Sequence, residues 1–185
     1  MKKTFRLLLL ILFSASQIAA QRAAFIEDTI AGITVGKSTF ADVQHKFRPR
    51  LIVDQGRQAV RWDGQCEIFF DFEPYSPRPN DRVQNVQFLN LGKGAAKDSP
   101  CNRLATGRGL RLSDSPQRAR ALYGPTKQST LNNNFVLGYN TKPNCPDGSK
   151  RAVILHNFGV EWIPGSSVFQ NIYLGITFTS CPDLP

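Results

Sequence analysis

Apolar and polar positions follow two rhythms along this chain. In "GKSTFADVQHKF" (Gly36–Phe47), Phe40, Val43 and Phe47 recur at i, i+3 and i+7, the spacing that lines one side of an α-helix. Thr39, with Asp42 three residues on, supplies a capping box. "SDSPQRARALYGP" (Ser113–Pro125) follows the same plan: Ser115 stands before Pro116, and Pro116, Ala119 and Tyr123 take the same spacing. Gly124-Pro125 closes that helix, because glycine accepts a left-handed cap and proline cannot continue the ladder. Elsewhere the period falls to two. "QAVRW" from Gln58, "CEIFFDFE" from Cys66 and "RVQNVQFLNL" from Arg82 lie between turn residues and predict three strands. "NFVLGYN" from Asn134, "AVILHNFGVEW" from Ala152 and "SVFQNIYLGITF" from Ser167 predict three more.

The two series correspond. Aligning Thr39 with Ser115 sets Phe40, Val43 and Phe47 opposite Pro116, Ala119 and Tyr123, and "VQNV" at Val83–Val86 reappears as "FQNI" at Phe169–Ile172. Between them "GKGAAKDSPCNRLATGRG" (Gly92–Gly109) is rich in glycine, alanine and charge and reads as a linker. The expected fold class is α+β, in two tandem units over residues 21–100 and 101–185. Each would be a short helix packed on an antiparallel β-sheet of about three to four strands, because an apolar helix stripe and an apolar sheet face bury each other when layered. Units of that size are marginal alone.

The segment "GITVGKSTFADVQHKF" (Gly32–Phe47) resembles the start of the SmpA/OmlA group of small outer-membrane assembly lipoproteins, and Gly109–Pro125 resembles it more loosely. That group is similar in turn to the tandem repeats of β-lactamase inhibitory protein, in which a helical element lies on an antiparallel sheet twice over. The resemblance implies that fold and a binding role, and it brings no catalytic residues. Two departures stand out. The lipoproteins carry a lipidated cysteine and are typically single units, whereas this chain has no cysteine near its start and reads as doubled.

Composition adds an address. In "MKKTFRLLLLILFSASQIAA", Lys2, Lys3 and Arg6 precede the apolar run Leu7–Phe13, and Ala19-Ala20 offers small residues to a peptidase. Residues 1–20 therefore read as a secretory signal, with the mature chain expected from Gln21 in the periplasm or outside the cell. The apolar run is too short to cross about 30 Å of hydrocarbon, and no later stretch is long enough, so no transmembrane segment is expected in the mature chain. Four cysteines in an exported chain predict two disulfides, with three possible connectivities. Separations of 35 residues for Cys66–Cys101 and 36 for Cys145–Cys181 favour those pairs, one per half. No cysteines stand close enough for a zinc motif, and phosphate-loop and calcium-loop patterns are missing, so no metal or cofactor is expected.

The net charge of +9 falls to +6 without the leader, of which +5 lies from Cys101 onward. Arg103, Arg108, Arg111, Arg118 and Arg120 supply most of it. This cluster is either a solvated face or a dock for an anionic envelope component or acidic protein. Nucleic acid is a poor partner for an exported chain. Phe69 and Tyr75, near the proline-rich "EPYSPRPNDR", are candidate exposed aromatics of a recognition surface. Trp62 and Trp162 follow apolar strand patterns and read as core. For catalysis, Glu67, Asp71 and Glu73 alternate onto one side of a strand, about 6.5–7 Å apart where adjacent, which suits a glycosidase pair or a weak calcium site as well as a solvated face. His156 falls opposite Phe70 in the internal alignment, while His45 lies on the outer side of its helix. No nucleophile motif accompanies either histidine. The expected role is an exported, non-catalytic binding protein acting through a sheet face or the basic patch; the alternative is a small secreted hydrolase using those carboxylates with His156.

Overall fold

Thr39 starts the first helix, α1 (Phe40–Phe47), by an exchange of hydrogen bonds. Its hydroxyl accepts from the Asp42 N–H at 3.3 Å while the Asp42 carboxylate accepts from the Thr39 N–H at 2.8 Å. Those hydrogen bonds from Thr39, backbone first, hold the Asp42 carboxyl below its ordinary pKa. α2 (Pro116–Tyr123) opens on the Ser115 hydroxyl, which accepts from the Arg118 N–H at 3.3 Å, and ends at Gly124 with φ 92°. Each helix buries the stripe its spacing predicts: Val43 and Phe47 in α1, Pro116 and Ala119 in α2. Phe40 and Tyr123 pack partly buried beside the core.

The computed structural model describes residues 27–48, 50–54, 57–62, 64–73, 76–140 and 152–180. It is α+β and mostly sheet. A two-stranded hairpin, β1 (Thr29–Ile30) with β2 (Ile33–Thr34), precedes α1. After α1 come β3 (Leu51–Asp54), β4 (Arg57–Trp62), β5 (Cys66–Phe72) and β6 (Val83–Asn90). After α2 come β7 (Gln128–Leu131), β8 (Asn134–Asn140), β9 (Ala152–Trp162) and β10 (Asn171–Ser180). These eight form one antiparallel sheet in the order β3-β4-β5-β6-β10-β9-β8-β7, closed at its centre by β6 and β10, where Val86 faces Leu174 and Phe88 faces Ile172. Its register places Gln58, Phe70, Val86, Leu174, Phe158 and Tyr139 in one cross-strand row. Both helices pack on that side. Phe47 stacks on Phe70 at 5.4 Å and Tyr123 on Phe158 at 4.5 Å between ring centroids. Among the described residues the buried apolar side chains other than Ala59 and Val136 form one cluster spanning both helices and both groups of strands. None of the described helices is long and apolar enough to cross a membrane.

Three sequence expectations change. Each helix is followed by four strands, within the expected three to four but one more than the pattern locates, because β3 and β7 are short edges without a buried alternating face; β7 is exposed throughout. β10 begins at Asn171 rather than Ser167, since Phe169 turns away to donate its N–H to the Leu112 carbonyl at 3.0 Å. The Gly92–Gly109 stretch is packed rather than loose. Asn90 accepts from the N–H groups of Gly92 and Gly94, and a Cβ at Gly94 would stand 2.5 Å from the Gln65 carbonyl oxygen. Ser99 caps a short 3-10 turn, Pro100–Arg103, which delivers fully buried Cys101 to Cys66 as the expected disulfide, with Cα atoms 6.2 Å apart. The expected Cys145–Cys181 bridge lies outside the described residues.

The N-terminal hairpin crosses to the later half of the chain. Ala31 donates to the Ala105 carbonyl at 2.8 Å, and Gly107 donates to that of Thr29 at 3.0 Å. At its root Glu27, only 3% exposed, accepts from the N–H groups of Thr29 and Arg108 and from the Tyr123 hydroxyl at 2.9 Å. A buried carboxylate is tolerable only when so surrounded. Burial pushes the Tyr123 phenol well above its ordinary pKa; a hydrogen bond with Thr106 opposes this and Glu27 adds to it, so the phenol stays protonated and donating.

Replacing Cys66 and Cys101 together by serine is expected to lower stability by about 3–4 kcal/mol, the unfolded-chain entropy of a loop this long, read as a lower urea midpoint. Tyr123→Phe should cost about 1–3 kcal/mol by leaving Glu27 short of a donor; an unchanged midpoint would show that Glu27 finds another. The Asp42 contribution is full above the ordinary carboxylate pKa and lost as pH falls through the lowered one. Asp42→Asn should therefore narrow the stability gap to wild type in acid, measured by thermal unfolding across pH.

Candidate functional site: the open sheet face

Alternation sends every second residue of the sheet to the side opposite the helices. Three cross-strand rows occupy it. One runs Asp71, Asn85, Gly175, Asn157; the next Ala59, Phe69, Gln87, Tyr173, Gly159, Gly138; the third Arg61, Glu67, Leu89, Asn171, Glu161, Val136. Among the described residues no helix covers these rows. Their middle forms a depression of about 610 Å³ whose rim reaches from Arg57 on β4 to Leu131 at the end of β7.

The β4–β6 side of this face is held by charge. Arg57 clamps Asp71 through two hydrogen bonds, Nε to Oδ1 at 2.5 Å and Nη2 to Oδ2 at 2.9 Å, and reaches the Gln87 amide oxygen at 3.3 Å. Its guanidinium lies over the Phe69 ring, 4.3 Å from the centroid. A planar guanidinium suits both contacts at once. Arg61 similarly bridges Asp54 at 2.5 Å and Glu67 at 2.6 Å, with Glu67 nearly buried. Charge-assisted bonds of this kind fix side chains that would otherwise be free to rotate.

The β9–β10 side is held by amides and by missing side chains. Tyr173 lies flat across Gly159, where a Cβ would stand 2.2 Å from its ring, and Asn85 lies across Gly175, where a Cβ would stand 2.1 Å from its amide oxygen. Glycine at both positions is what lets these groups lie down on the sheet. Glu161 accepts from the side-chain amides of Asn134 at 2.6 Å and Asn171 at 3.3 Å. Burial, and then the Glu161 charge, raise the Tyr173 pKa.

Of the sequence-predicted binding residues, Phe69 lies on this face beneath Arg57, and Tyr75 lies outside the described residues. None of Arg103, Arg108, Arg111, Arg118 and Arg120 stands on its strands. Arg103, Arg111 and Arg118 are exposed. Arg108 instead supports α2, donating to the Leu122 carbonyl at 2.8 Å and lying 5.4 Å from the Tyr123 ring centre. Arg120 is half-buried on the same helix. His156 pairs with Ile176 on the helix-facing side of the sheet, two residues from Phe158, whereas Glu67 and Asp71 lie on the open side, each held by an arginine. Glu73 lies past a register shift at the end of β5 and is exposed, accepting from Gln84. These four residues do not meet at one site. Trp162 is buried as expected, and Trp62 is half-buried beneath Arg50. Among the described residues no cluster of histidine, cysteine, aspartate and glutamate is placed to hold a metal. Arg57, Gln87, Glu161, Asn171 and Tyr173 were not singled out by the sequence; the period-two pattern that buries Phe70 and Phe158 was the signal that places them opposite. Family models, curated proteins and solved structures compared with this chain gave no match.

A double-mutant cycle on Arg57→Ala and Asp71→Ala is expected to return a coupling of about 1 kcal/mol, as for a partly exposed but bidentate pair. A coupling of zero in urea unfolding would mean the clamp does not order this face.

Proposed function

We propose that this chain is an exported binding protein without catalytic activity, and that it recognises a protein of the cell envelope or its surroundings through the open face of the eight-stranded sheet. The observation that carries the reading is the division of labour between the two sides. Both helices lie on one side, while the other presents a depression with a fixed polar lining. Rigid, pre-ordered side chains are what a recognition surface needs, because little freedom is then lost on binding. The leader-like residues 1–20 support export.

The reading includes a duplicated architecture: two helix-plus-four-strand units sharing one sheet. Matching caps at Thr39 and Ser115, equal strand counts after each helix, and the antiparallel meeting of the last strand of each series support it. The local resemblance to the SmpA/OmlA group and to the repeats of β-lactamase inhibitory protein points to the same architecture and to binding rather than catalysis.

The test is capture from native envelope extract by the purified chain, followed by variants. Gln87→Lys and Asn157→Lys, which add charge to the open face, should each reduce recovery of the captured protein at least about tenfold, as misplaced charge does at a complementary surface. Charge reversal at Arg111 and Arg118 should leave recovery unchanged. The opposite pattern, with retention on anionic vesicles lost on reversal at the arginines, would move the binding surface to the basic patch.

A further inference from the structure

The carboxylates carried by strands on the open face are not treated alike. Asp71 is held by Arg57, and Asp54 and Glu67 share Arg61. Glu161 has no cationic partner among the described residues; its two contacts are neutral amide N–H groups from Asn134 and Asn171. Beside it the Asn171 side-chain oxygen is buried without a hydrogen-bond partner, in a residue 6% exposed that lines the depression. Tyr173, resting on Gly159, adds an aromatic ring, and Leu131 an exposed apolar wall at 56% exposure. An unpartnered buried acceptor is costly in a native protein and calls for a donor. Here it stands next to a carboxylate with no counter-charge among the described residues.

We infer that the Glu161–Asn171–Tyr173 corner of the depression is the receptor site for an arginine side chain of the bound protein. A guanidinium is the group that fits all three. It donates along its planar edge to a carboxylate, lies over an aromatic ring, and has N–H groups to spare for the Asn171 oxygen once that side chain turns outward. The chain supplies its own example on the same face, where Arg57 spans the Asp71 carboxylate and the Phe69 ring together. At Glu161 the acceptors and the ring are present and the cation is left to the partner. This inference rests on the open-face reading above and names what the partner must bring to it.

The test uses the whole chain, labelled with nitrogen-15, titrated with N-acetyl-arginine N-methylamide and with the neutral citrulline counterpart. The expected result is a saturable shift of the Asn171 side-chain amide with arginine, with affinity at least about tenfold weaker for citrulline, which lacks the charge. That contrast is read on the wild-type protein, so it does not depend on a variant folding. Glu161→Gln should abolish the difference between the two compounds. Equal shifts from both, or arginine shifts that never saturate at Asn171, would overturn the assignment. Envelope capture that is lost in Gln87→Lys but fully retained in Glu161→Gln would overturn it too, and would leave the open-face reading standing.

Discussion

Strand register is the constraint from which the rest of this structure follows. A slip of one residue along β5 would carry Ile68, Phe70 and Phe72 into water and place Glu67 and Asp71 beneath α1. The same slip along β9 would exchange Phe158 and Val160 for Asn157 and Glu161. Fully burying a phenylalanine is worth about 1.5–3 kcal/mol, and an unpaired buried carboxylate costs several more, so the register is strongly fixed wherever a helix covers the sheet. The composition of the open face is a consequence: whatever the core does not need is displayed there, in rows.

The seam between β6 and β10 extends this constraint across the chain. Residues nearly ninety positions apart in sequence, such as Val86 and Leu174, become neighbours, and closing so long a loop is entropically unfavourable. The contacts that hold the seam are correspondingly dense. The Asn90 side chain donates to the Phe169 carbonyl, and Gln170 returns a bond to the Asn90 carbonyl. Cys101 ties the connecting segment to β5, and Glu27 brings the N-terminal hairpin against Arg108 and Tyr123. Each of these ties joins parts of the chain that the local pattern leaves separate. Together they explain why one core cluster runs through the whole sheet.

Local chemistry was legible in the sequence and distant chemistry was not. The caps at Thr39 and Ser115, the buried stripes Val43–Phe47 and Pro116–Ala119, the central strands and the Cys66–Cys101 bridge all depend on spacing within a segment, or on a count. β3 and β7 were missed because an edge strand needs only one partner and no apolar face, so it leaves no period to read. The Gly92–Gly109 stretch looked loose because its ties come from Asn90, Gln65 and Cys66, which lie outside it. At the site, Phe69 was found for its aromatic ring, whereas Arg57 and Arg61 were hidden in a strand with no marker of pairing. The carboxylates alternate visibly along their strand whereas their arginine partners lie on β4, so the sequence pattern alone is compatible with a catalytic group. His156 shares only residue type with such a group, and its parity with Phe158 assigns it to the helix side.

Parity also bears on what the open face can do. Catalysis by acid and base requires groups that converge on one bond with protonation states free to change. Asp71 and Glu67 are each engaged by a guanidinium, and neither has a histidine on its side of the sheet among the described residues. The side chains of this face are instead packed on one another: Arg57 on Phe69, Tyr173 on Gly159, Asn85 on Gly175. Such locking removes beforehand the rotamer freedom that association would otherwise have to remove, which is the physical basis of tight and selective recognition. In the proposed binding role it would also limit the partner. Under that proposal the face would select by shape and by the few groups left for a partner, which among the described residues are the Asn171 side-chain oxygen, without a hydrogen bond, and the Glu161 carboxylate, paired only with neutral amides.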